Sequence, residues 1–426
     1  MISGDGAVLR SRRGHAKLAR MRRWKPSMEH PARWFSAALL GLALVCNSVA
    51  GAEPSPMPTA PYAKWSHGPS SDAAFFPLAV WLQDPVNAER YRQAGINTYV
   101  ALWRGPTEAQ LAALKKAGMR LVCAQNQTAL RHLDDPAIIA WMHGDEPDNA
   151  QSQGQGKGWG PPVAPEKIVA DYRRIQAADP SRPILLNLGQ GVAWDGWYGR
   201  GSRSNHPEDY PKYLEGCDVV SFDIYPAVHE HPDVAGKLWL VAYGVERLVQ
   251  WSDGKRLVWN CLECTHISNP DRKPTPQEVR CEAWMSLIHG SRGLIYFVHE
   301  FKPGFREAAL LDDAPMLEGV TALNHQIARL APVLNSPTLA DAARVESAEA
   351  TAPVAVLVKS YDGKVYLFAV AMRGAVTSAT FTLKGLEGDQ TVEVIDEHRT
   401  LPSHNGVFGD HFAPWEVHLY RVAVAH

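Results

Sequence analysis

The sequence predicts an α/β protein, with a (β/α)8 TIM barrel over residues 75–335 followed by a small antiparallel β-sandwich over residues 336–426. Three observations predict this fold. Short apolar runs alternate with amphipathic helical segments through the first region, which has roughly the length that such a barrel needs. After Pro332 the pattern changes to alternating apolar and polar residues, which is typical of half-buried strands. Polar or aromatic side chains also follow the apolar runs of the first region, where barrels carry their functional residues.

The elements of the barrel follow from apolar periodicity and from helix stop signals. Gly95 and Gly118 each end a helix, and Pro165 opens one. The predicted strands are residues 76–82, 96–103, 119–124, 138–143, 183–188, 217–224, 257–262 and 293–298. The predicted helices are residues 87–94, 107–117, 165–178, 238–251, 276–289 and 316–330. The sandwich strands are predicted at residues 354–359, 364–372, 377–383, 391–395 and 416–422, with Asp362-Gly363 marking a hairpin turn.

Residues 1–52 have the features of a targeting segment. Arg and Lys crowd the start, the apolar run from Phe35 to Val45 is too short to span a bilayer, and Ala50-Gly51-Ala52 offers small residues at a cleavage site. Residues 53–74 are rich in Pro, Ser and Ala, which predicts an extended segment before the barrel. We call this segment the lead-in. We therefore expect an exported protein, secreted or periplasmic, that does not associate with the membrane once the leader is removed.

The net charge and the cysteine content indicate which classes of partner and ligand are not expected for this protein. Nine of the 43 Lys and Arg residues and two of the 45 Asp and Glu residues lie in residues 1–52, so the rest of the chain has a net charge of −9. This balance argues against nucleic-acid binding. Five cysteines remain, an odd number that does not suggest a disulfide framework, and the spacing of Cys261 and Cys264 lacks the second pair of a zinc site. A metal-dependent barrel hydrolase would use a His-x-His at the first strand, which residues 76–83 do not contain. We expect no metal and no cofactor.

Hydrogen-bonding and aromatic side chains occupy the ends of all eight predicted barrel strands. Because these ends converge on one face, the side chains are expected to line one pocket suited to a polyhydroxylated ligand. Two of them, Glu146 and Glu263, follow strands four and seven and can face each other across the mouth. The segments 151–162 and 194–211 are expected to form the rim. The candidate substrate-binding residues are Trp81, Trp103, Asn126, His143, Asp145, Asn187, Asp223, Tyr225, Asn260, Tyr296, His299 and Glu300.

Two glutamates across a bound sugar would suffice for glycoside hydrolysis. In a retaining mechanism one carboxylic acid protonates the leaving oxygen and a carboxylate about 5–5.5 Å away attacks the anomeric carbon. We expect Glu146 to be the acid/base and Glu263 the nucleophile, with Tyr225 as a donor that helps to keep Glu263 ionised. An inverting mechanism, which needs a separation of about 6.5–9.5 Å, remains open.

The arrangement resembles the large clan of retaining glycoside hydrolases that place the acid/base at the end of strand four and the nucleophile at the end of strand seven. The clan pattern Asn-Glu-Pro is matched by Asp145-Glu146-Pro147, the strand-seven glutamate by Glu263 and the strand-six tyrosine by Tyr225. The chain looks most like the β-galactosidase-type members, over about residues 75–335. The resemblance implies cleavage of β-glycosidic bonds in an oligo- or polysaccharide by double displacement.

Two departures from the clan pattern bear on the substrate. Asp145 stands in place of asparagine, so it can accept but not donate a hydrogen bond at the sugar 2-hydroxyl, and its charge is expected to raise the pKa of Glu146. The eighth strand carries Tyr296 and His299-Glu300 where a tryptophan is common, which makes Glu300 a reserve carboxylate. The alternative from another functional class is a glycan-binding barrel without catalytic activity.

Overall fold

A computed structural model describes residues 60–423, so the predicted leader and the first residues of the lead-in lie outside the described residues. Within this range, eight parallel strands form a closed barrel in chain order. The strands are β1 (Leu78–Trp81), β2 (Thr98–Val100), β3 (Arg120–Cys123), β4 (Ile138–Met142), β5 (Ile184–Leu188), β6 (Val219–Phe222), β7 (Leu257–Glu263) and β8 (Ser291–Phe297). The helices are α1 (Ala88–Gln93), α2 (Glu108–Lys116), α3 (Gln127–Leu130), α4 (Pro165–Ala178), α5 (Tyr210–Leu214), α6 (Trp239–Trp251), α7 (Pro276–Ile288) and α8 (Ala314–Leu334).

Local sequence accounts for these elements. Every residue of β4 is buried, as expected for a parallel strand covered on both faces. Helix α2 begins with a capping box in which Thr107 and Gln110 bond each other's backbone N–H groups, and α7 begins with the same device at Thr275 and Glu278. The predicted barrel is confirmed. The ends of the long helices lie within a few residues of the predicted ends.

The amino-terminal end of the barrel is closed by part of the lead-in. Tyr62 is buried, donates a hydrogen bond from Oη to the carbonyl of Arg292 (3.0 Å) and accepts one from Nε1 of Trp259 (2.9 Å). Trp259 lies in the packed interior with Trp81 and Met142. This end of the lead-in therefore folds against the barrel instead of running extended past it.

The second region is one antiparallel sheet of eight strands, folded so that its two edge strands approach each other around a common core. This agrees with the predicted sandwich. The strands are β9 (Ala343–Ser347), β10 (Val354–Tyr361), β11 (Lys364–Ala371), β12 (Thr377–Leu383), β13 (Asp389–Val394), β14 (Arg399–His404), β15 (Val407–Phe412) and β16 (Val417–Ala423). The sequence did not predict β9, β14 and β15. Charged residues interrupt the apolar pattern of β9, and Pro402 interrupts that of β14.

The connection from β5 to α5 shapes the mouth of the barrel. It contains short 3-10 turns at Gln190–Val192 and Tyr198–Arg203 in place of a long helix. These turns carry a group of aromatic side chains to the carboxyl ends of the strands. Within residues 60–423, no helix has the length and apolar content that crossing a membrane requires.

Candidate active site

Three carboxylates meet at the mouth of the barrel. Asp145 and Glu146 follow β4, and Asp223 follows β6. Asp145 is exposed, whereas Glu146 and Asp223 are half-buried. Between them, Nδ2 of the fully buried Asn187 donates a hydrogen bond to Oδ1 of Asp145 (2.9 Å). The structure thus brings together three of the predicted site residues around Glu146, and Tyr225 joins them from the loop after β6.

The backbone at Glu146 is held in a conformation that non-glycine residues rarely adopt. Its φ is 41°, in the left-handed region, which costs about 1–3 kcal/mol unless the surroundings enforce it. Here its N–H donates to the carbonyl of Asn187 (3.1 Å), and its own carbonyl accepts from the N–H of Asn149 (3.1 Å). Two residues on, the buried Asp148 accepts hydrogen bonds from the Gly189 N–H and the Tyr210 hydroxyl, both at 2.9 Å. These hydrogen bonds therefore hold the turn after β4 against β5 and the connection that follows β5.

The surroundings keep Glu146 protonated at neutral pH. Burial, followed by the charges of Asp223 and Asp145, raises the pKa of Glu146 to about 9. Burial and the charge of Asp145 raise the pKa of Asp223 to about 7. The charge of Asp145 raises the pKa of Glu146, as predicted, but burial and the charge of Asp223 raise it more. Two neighbouring carboxyls thus differ in pKa, which is the condition for an acid and a base or nucleophile to work together.

Glu263 has different surroundings from those predicted. Its side chain is fully buried, with Oε1 accepting from the N–H of Ala227 (2.6 Å) and Oε2 from the N–H of Val228 (3.0 Å). Burial, only partly offset by these bonds, raises its pKa to about 8, so the group is mostly neutral at pH 7. Within residues 60–423, the hydroxyl of Tyr225 has no hydrogen-bond partner and so does not donate to Glu263. The hydrogen bond expected from Tyr225 is therefore absent and two backbone N–H groups bond the carboxyl instead, while the role of Glu263 as nucleophile stays a prediction.

Five other predicted binding residues bond or pack elsewhere in the protein. Side chains alternate between the two faces of a strand, so residues next to each other at a strand end point in different directions. Trp81 lies in the barrel interior. The other four are hydrogen-bonded to other parts of the protein: Asn126 to the N–H of Ala129 (2.9 Å), His143 to the carbonyl of Gly216 (2.8 Å), Asn260 to Ser286 (2.8 Å) and Tyr296 to Asn324 (2.7 Å).

The remaining three predicted residues form a separate group on the loops after β2 and β8. Trp103 is 47% exposed and lies edge-on to His299, with ring centroids 6.3 Å apart. Burial lowers the pKa of His299 to about 4, which keeps the imidazole neutral. Glu300 is buried and its carboxylate lies 3.6 Å from the guanidinium of Arg306. The reserve carboxylate is thus paired with an arginine and lines a small cavity of about 340 Å³ of its own.

Two larger cavities open at the mouth and share an aromatic boundary. One, of about 740 Å³, is lined by Asp145, Glu146 and the loop after β4. The other, of about 650 Å³, is lined by Tyr225, by the loop after β6 and by the loops after β7 and β8. Trp197 and Tyr198 line both. The two cavities therefore meet at these two rings, and Asp145 and Glu146 belong to the first of them.

Asn149 links the carboxyl group of Glu146 to this aromatic boundary. Its Nδ2 donates to Oε2 of Glu146 (2.8 Å), and its Oδ1 accepts from Nε1 of Trp197 (2.8 Å). A side chain at Gly189 would not fit, because a Cβ there would lie 2.7 Å from Oδ1 of Asn149. Asn149 could not be singled out from the sequence, since asparagine is a common residue in turns.

The chain has no match among protein-family models or among curated proteins. An Anoxybacillus α-amylase superposes with a TM-score of 0.50 at 10% identity, over 83% of this chain and 99% of that one. A family 30 endoxylanase from Clostridium papyrosolvens gives 0.42 at 13% identity over 82% and 96%, and a putative α-galactosidase/melibiase from Bacteroides fragilis gives 0.46 at 10% identity over 82% and 79%. At these identities the likeness to the amylase supports the fold alone, and this chain shares that fold.

Proposed function

We propose that this protein is a glycoside hydrolase in which Glu146 is the general acid and Asp223 is the partner carboxylate. The observation that carries the proposal is the pair itself. At the mouth of a (β/α)8 barrel, Glu146 after β4 and Asp223 after β6 lie in one carboxyl cluster, and the surroundings raise the pKa of Glu146 to about 9 but that of Asp223 only to about 7. Glycoside hydrolysis requires this division of roles between two carboxyl groups.

In the proposed reaction, Glu146 gives its proton to the glycosidic oxygen as the bond to the anomeric carbon breaks. In a retaining mechanism, Asp223 attacks that carbon, and water then releases the sugar while Glu146 takes back a proton. In an inverting mechanism, Asp223 instead accepts a proton from the attacking water. The clan resemblance implies retention with Glu263 as the nucleophile, and we propose retention with Asp223 in that role instead.

The neighbouring groups have supporting roles in this proposal. Asn149 orients the carboxyl of Glu146 through its 2.8 Å hydrogen bond. The buried hydroxyl of Tyr225 lies beside the carboxyl of Asp223, where it lowers the pKa of that group and so favours its ionised form. Glu263 is a positioning residue, because its two oxygens hold the backbone of Ala227 and Val228 just after Tyr225. The β-linkage, the oligo- or polysaccharide substrate and the export of the protein remain proposals that rest on the sequence.

The test is a screen of aryl α- and β-glycosides, with the anomer of the first product followed by NMR. Glu146→Gln is expected to lower kcat/KM by about 10²–10⁴-fold, as loss of a general acid does. The matched control is Glu318→Gln, which alters an exposed carboxylate on α8 and should leave activity near wild type. If the wild-type protein binds glycans but hydrolyses none of them, the glycan-binding alternative replaces this proposal.

A further inference from the structure

The boundary between the two mouth cavities is a pair of aromatic rings in contact, with their planes tilted by 49° to each other. Trp197 and Tyr198 have centroids 4.6 Å apart, and Trp194 packs behind them at 5.7 and 6.1 Å. Tyr198 is 66% exposed although it is a large aromatic side chain. We call Trp197 and Tyr198 the aromatic ridge. A ring pair left open to solvent between two cavities is placed to contact something that occupies both.

The ridge is held in place before any ligand binds. Nε1 of Trp197 is bonded to Asn149, so its ring cannot rotate freely. Gly199 lets that ring lie against the backbone, since a Cβ there would come within 2.3 Å of it. Trp194 is supported in turn by His231, with centroids 4.6 Å apart. A preformed surface of this kind lowers the ordering cost of binding.

The chemistry on the two sides of the ridge suits sugar rings. Indole and phenol rings combine a flat apolar face with a polar edge, so they can cover the C–H face of a pyranose while hydroxyls bond elsewhere. On the side of Tyr225, the polar side chains of Glu230, Ser268 and Lys302 line the cavity and can bond hydroxyls. Each cavity lies within the range of about 300–1,000 Å³ that is typical of ligand pockets. Each therefore has room for at least one sugar residue.

We propose that the substrate is a glycan chain of at least three sugar residues, which crosses the aromatic ridge and occupies both cavities. The reacting residue would lie at Glu146 and Asp223, with at least one further residue in each cavity, so that cleavage occurs within the chain. The proposal rests on the proposed function, because it places the scissile bond at the same carboxylates.

The test uses β-linked gluco-, xylo-, galacto- and manno-oligosaccharides of two to six residues, together with aryl monoglycosides, and measures kcat/KM for each. In the series that is cleaved, kcat/KM is expected to rise by about tenfold or more from two to five residues, with internal bonds cut first. Tyr198→Ala should lower kcat/KM about three- to tenfold on the longest substrate, mainly through KM, with a smaller loss on shorter ones. The control is Tyr361→Ala, an exposed tyrosine on β10 that should change nothing.

Two results separate this inference from the proposed function. If Glu146-dependent turnover is found but kcat/KM is independent of chain length, or Tyr198→Ala has the same effect at every length, the inference is overturned and the proposed function stands. If no glycoside or oligosaccharide is hydrolysed, the proposed function fails and the inference fails with it.

Discussion

The protonation of Glu146 is set by its immediate neighbours. Half-burial disfavours the carboxylate, and two further carboxyls, Asp223 and Asp145, add their negative charge. One amide, that of Asn149, works in the opposite direction by bonding the ionised form. These effects are all local, so they can be tested by pH and by single substitutions.

The pH dependence of kcat/KM should be a bell with its maximum between about pH 7 and pH 9. Activity rises as Asp223 loses its proton near pH 7 and falls as Glu146 loses its own near pH 9. Because the two groups interact, the apparent pKa values belong to the pair. The measurement is kcat/KM from pH 5 to pH 10 on the best substrate. A maximum below pH 6 would contradict this assignment of roles.

Replacing Asn149 should affect both orientation and protonation of Glu146. Asn149→Ala removes the hydrogen bond that lowers the pKa of Glu146, so the alkaline limb of the bell should move to higher pH. Loss of orientation should also lower kcat about tenfold. The control is Gln155→Ala, an exposed residue of the same loop. An unshifted alkaline limb in Asn149→Ala would show that this bond does not act on the acid.

The roles of single carboxyls were only partly predictable from the sequence. Position at a strand end correctly brought Asp145, Glu146, Asp223 and Tyr225 to one mouth, since strand ends converge. The position of Glu263 at a strand end did not reveal that its carboxyl accepts hydrogen bonds from two backbone N–H groups of the loop after β6. That depends on the path of residues 226–228, which no local pattern in the sequence specifies.

At the scale of elements, β7 and α7 enclose two interacting carboxyls. Burial, followed by the charge of Glu263, raises the pKa of Glu282 on α7 well above its usual range. The other charges that act on the pair are those of Glu278, also on α7, and Arg272. The folded state therefore favours the protonated form of both carboxyls. Their contribution to the stability of the folded protein is fully present below the unfolded pKa of 4.5, and it is lost as the pH rises to about 8.

Glu282→Gln should make stability less sensitive to pH. In the wild type, the free energy of unfolding should fall between pH 5 and pH 8, because the buried pair resists ionisation. The variant keeps an amide that can donate to Glu263 and has one titrating group fewer, so the fall should be smaller. Urea unfolding at several pH values measures it, with the exposed Glu318→Gln as control. Equal slopes in all three proteins would refute the account of this pair.

Most helices and strands could be predicted from the sequence. The elements that could not be predicted all have weak or interrupted apolar patterns. Apolar periodicity and caps identified the strands and long helices of the barrel, because burial on both faces gives parallel strands a strong signal. The 3-10 turns at the rim and the strands β9, β14 and β15 carry weak or interrupted patterns. Tertiary packing, such as the aromatic contacts of Trp194, decides their conformation.

At the scale of the whole molecule, the barrel and the folded sheet share an extensive apolar contact. Trp284 on α7 and Phe368 on β11 are both fully buried, with ring centroids 5.0 Å apart. Beside them, Arg329 on α8 bonds Asp396 of the sheet region at 2.7 and 2.9 Å. The apolar core of the barrel helices continues into one face of the sheet. The two regions should therefore depend on each other for stability.

Phe368→Ala should destabilise the whole molecule by about 3–5 kcal/mol, the usual cost of removing a fully buried aromatic ring. Because the cavity opens at the contact between the two regions, barrel and sheet should still unfold in one transition at a lower temperature. Differential scanning calorimetry checks this, with the exposed Tyr361→Ala as control. A separate early transition of the sheet alone would indicate that the two regions are energetically independent.

The central claim is that Asp223, and not Glu263, is the carboxylate that works with Glu146. The direct measurement is kcat/KM for Asp223→Asn and Glu263→Gln on the substrate found by the screen, with folding of each variant checked by circular dichroism. The account predicts that Asp223→Asn loses about 10³-fold or more, as removal of a nucleophile or base does, while Glu263→Gln stays within about tenfold of wild type. A nearly active Asp223→Asn together with an inactive, folded Glu263→Gln would contradict it and return the nucleophile's role to Glu263.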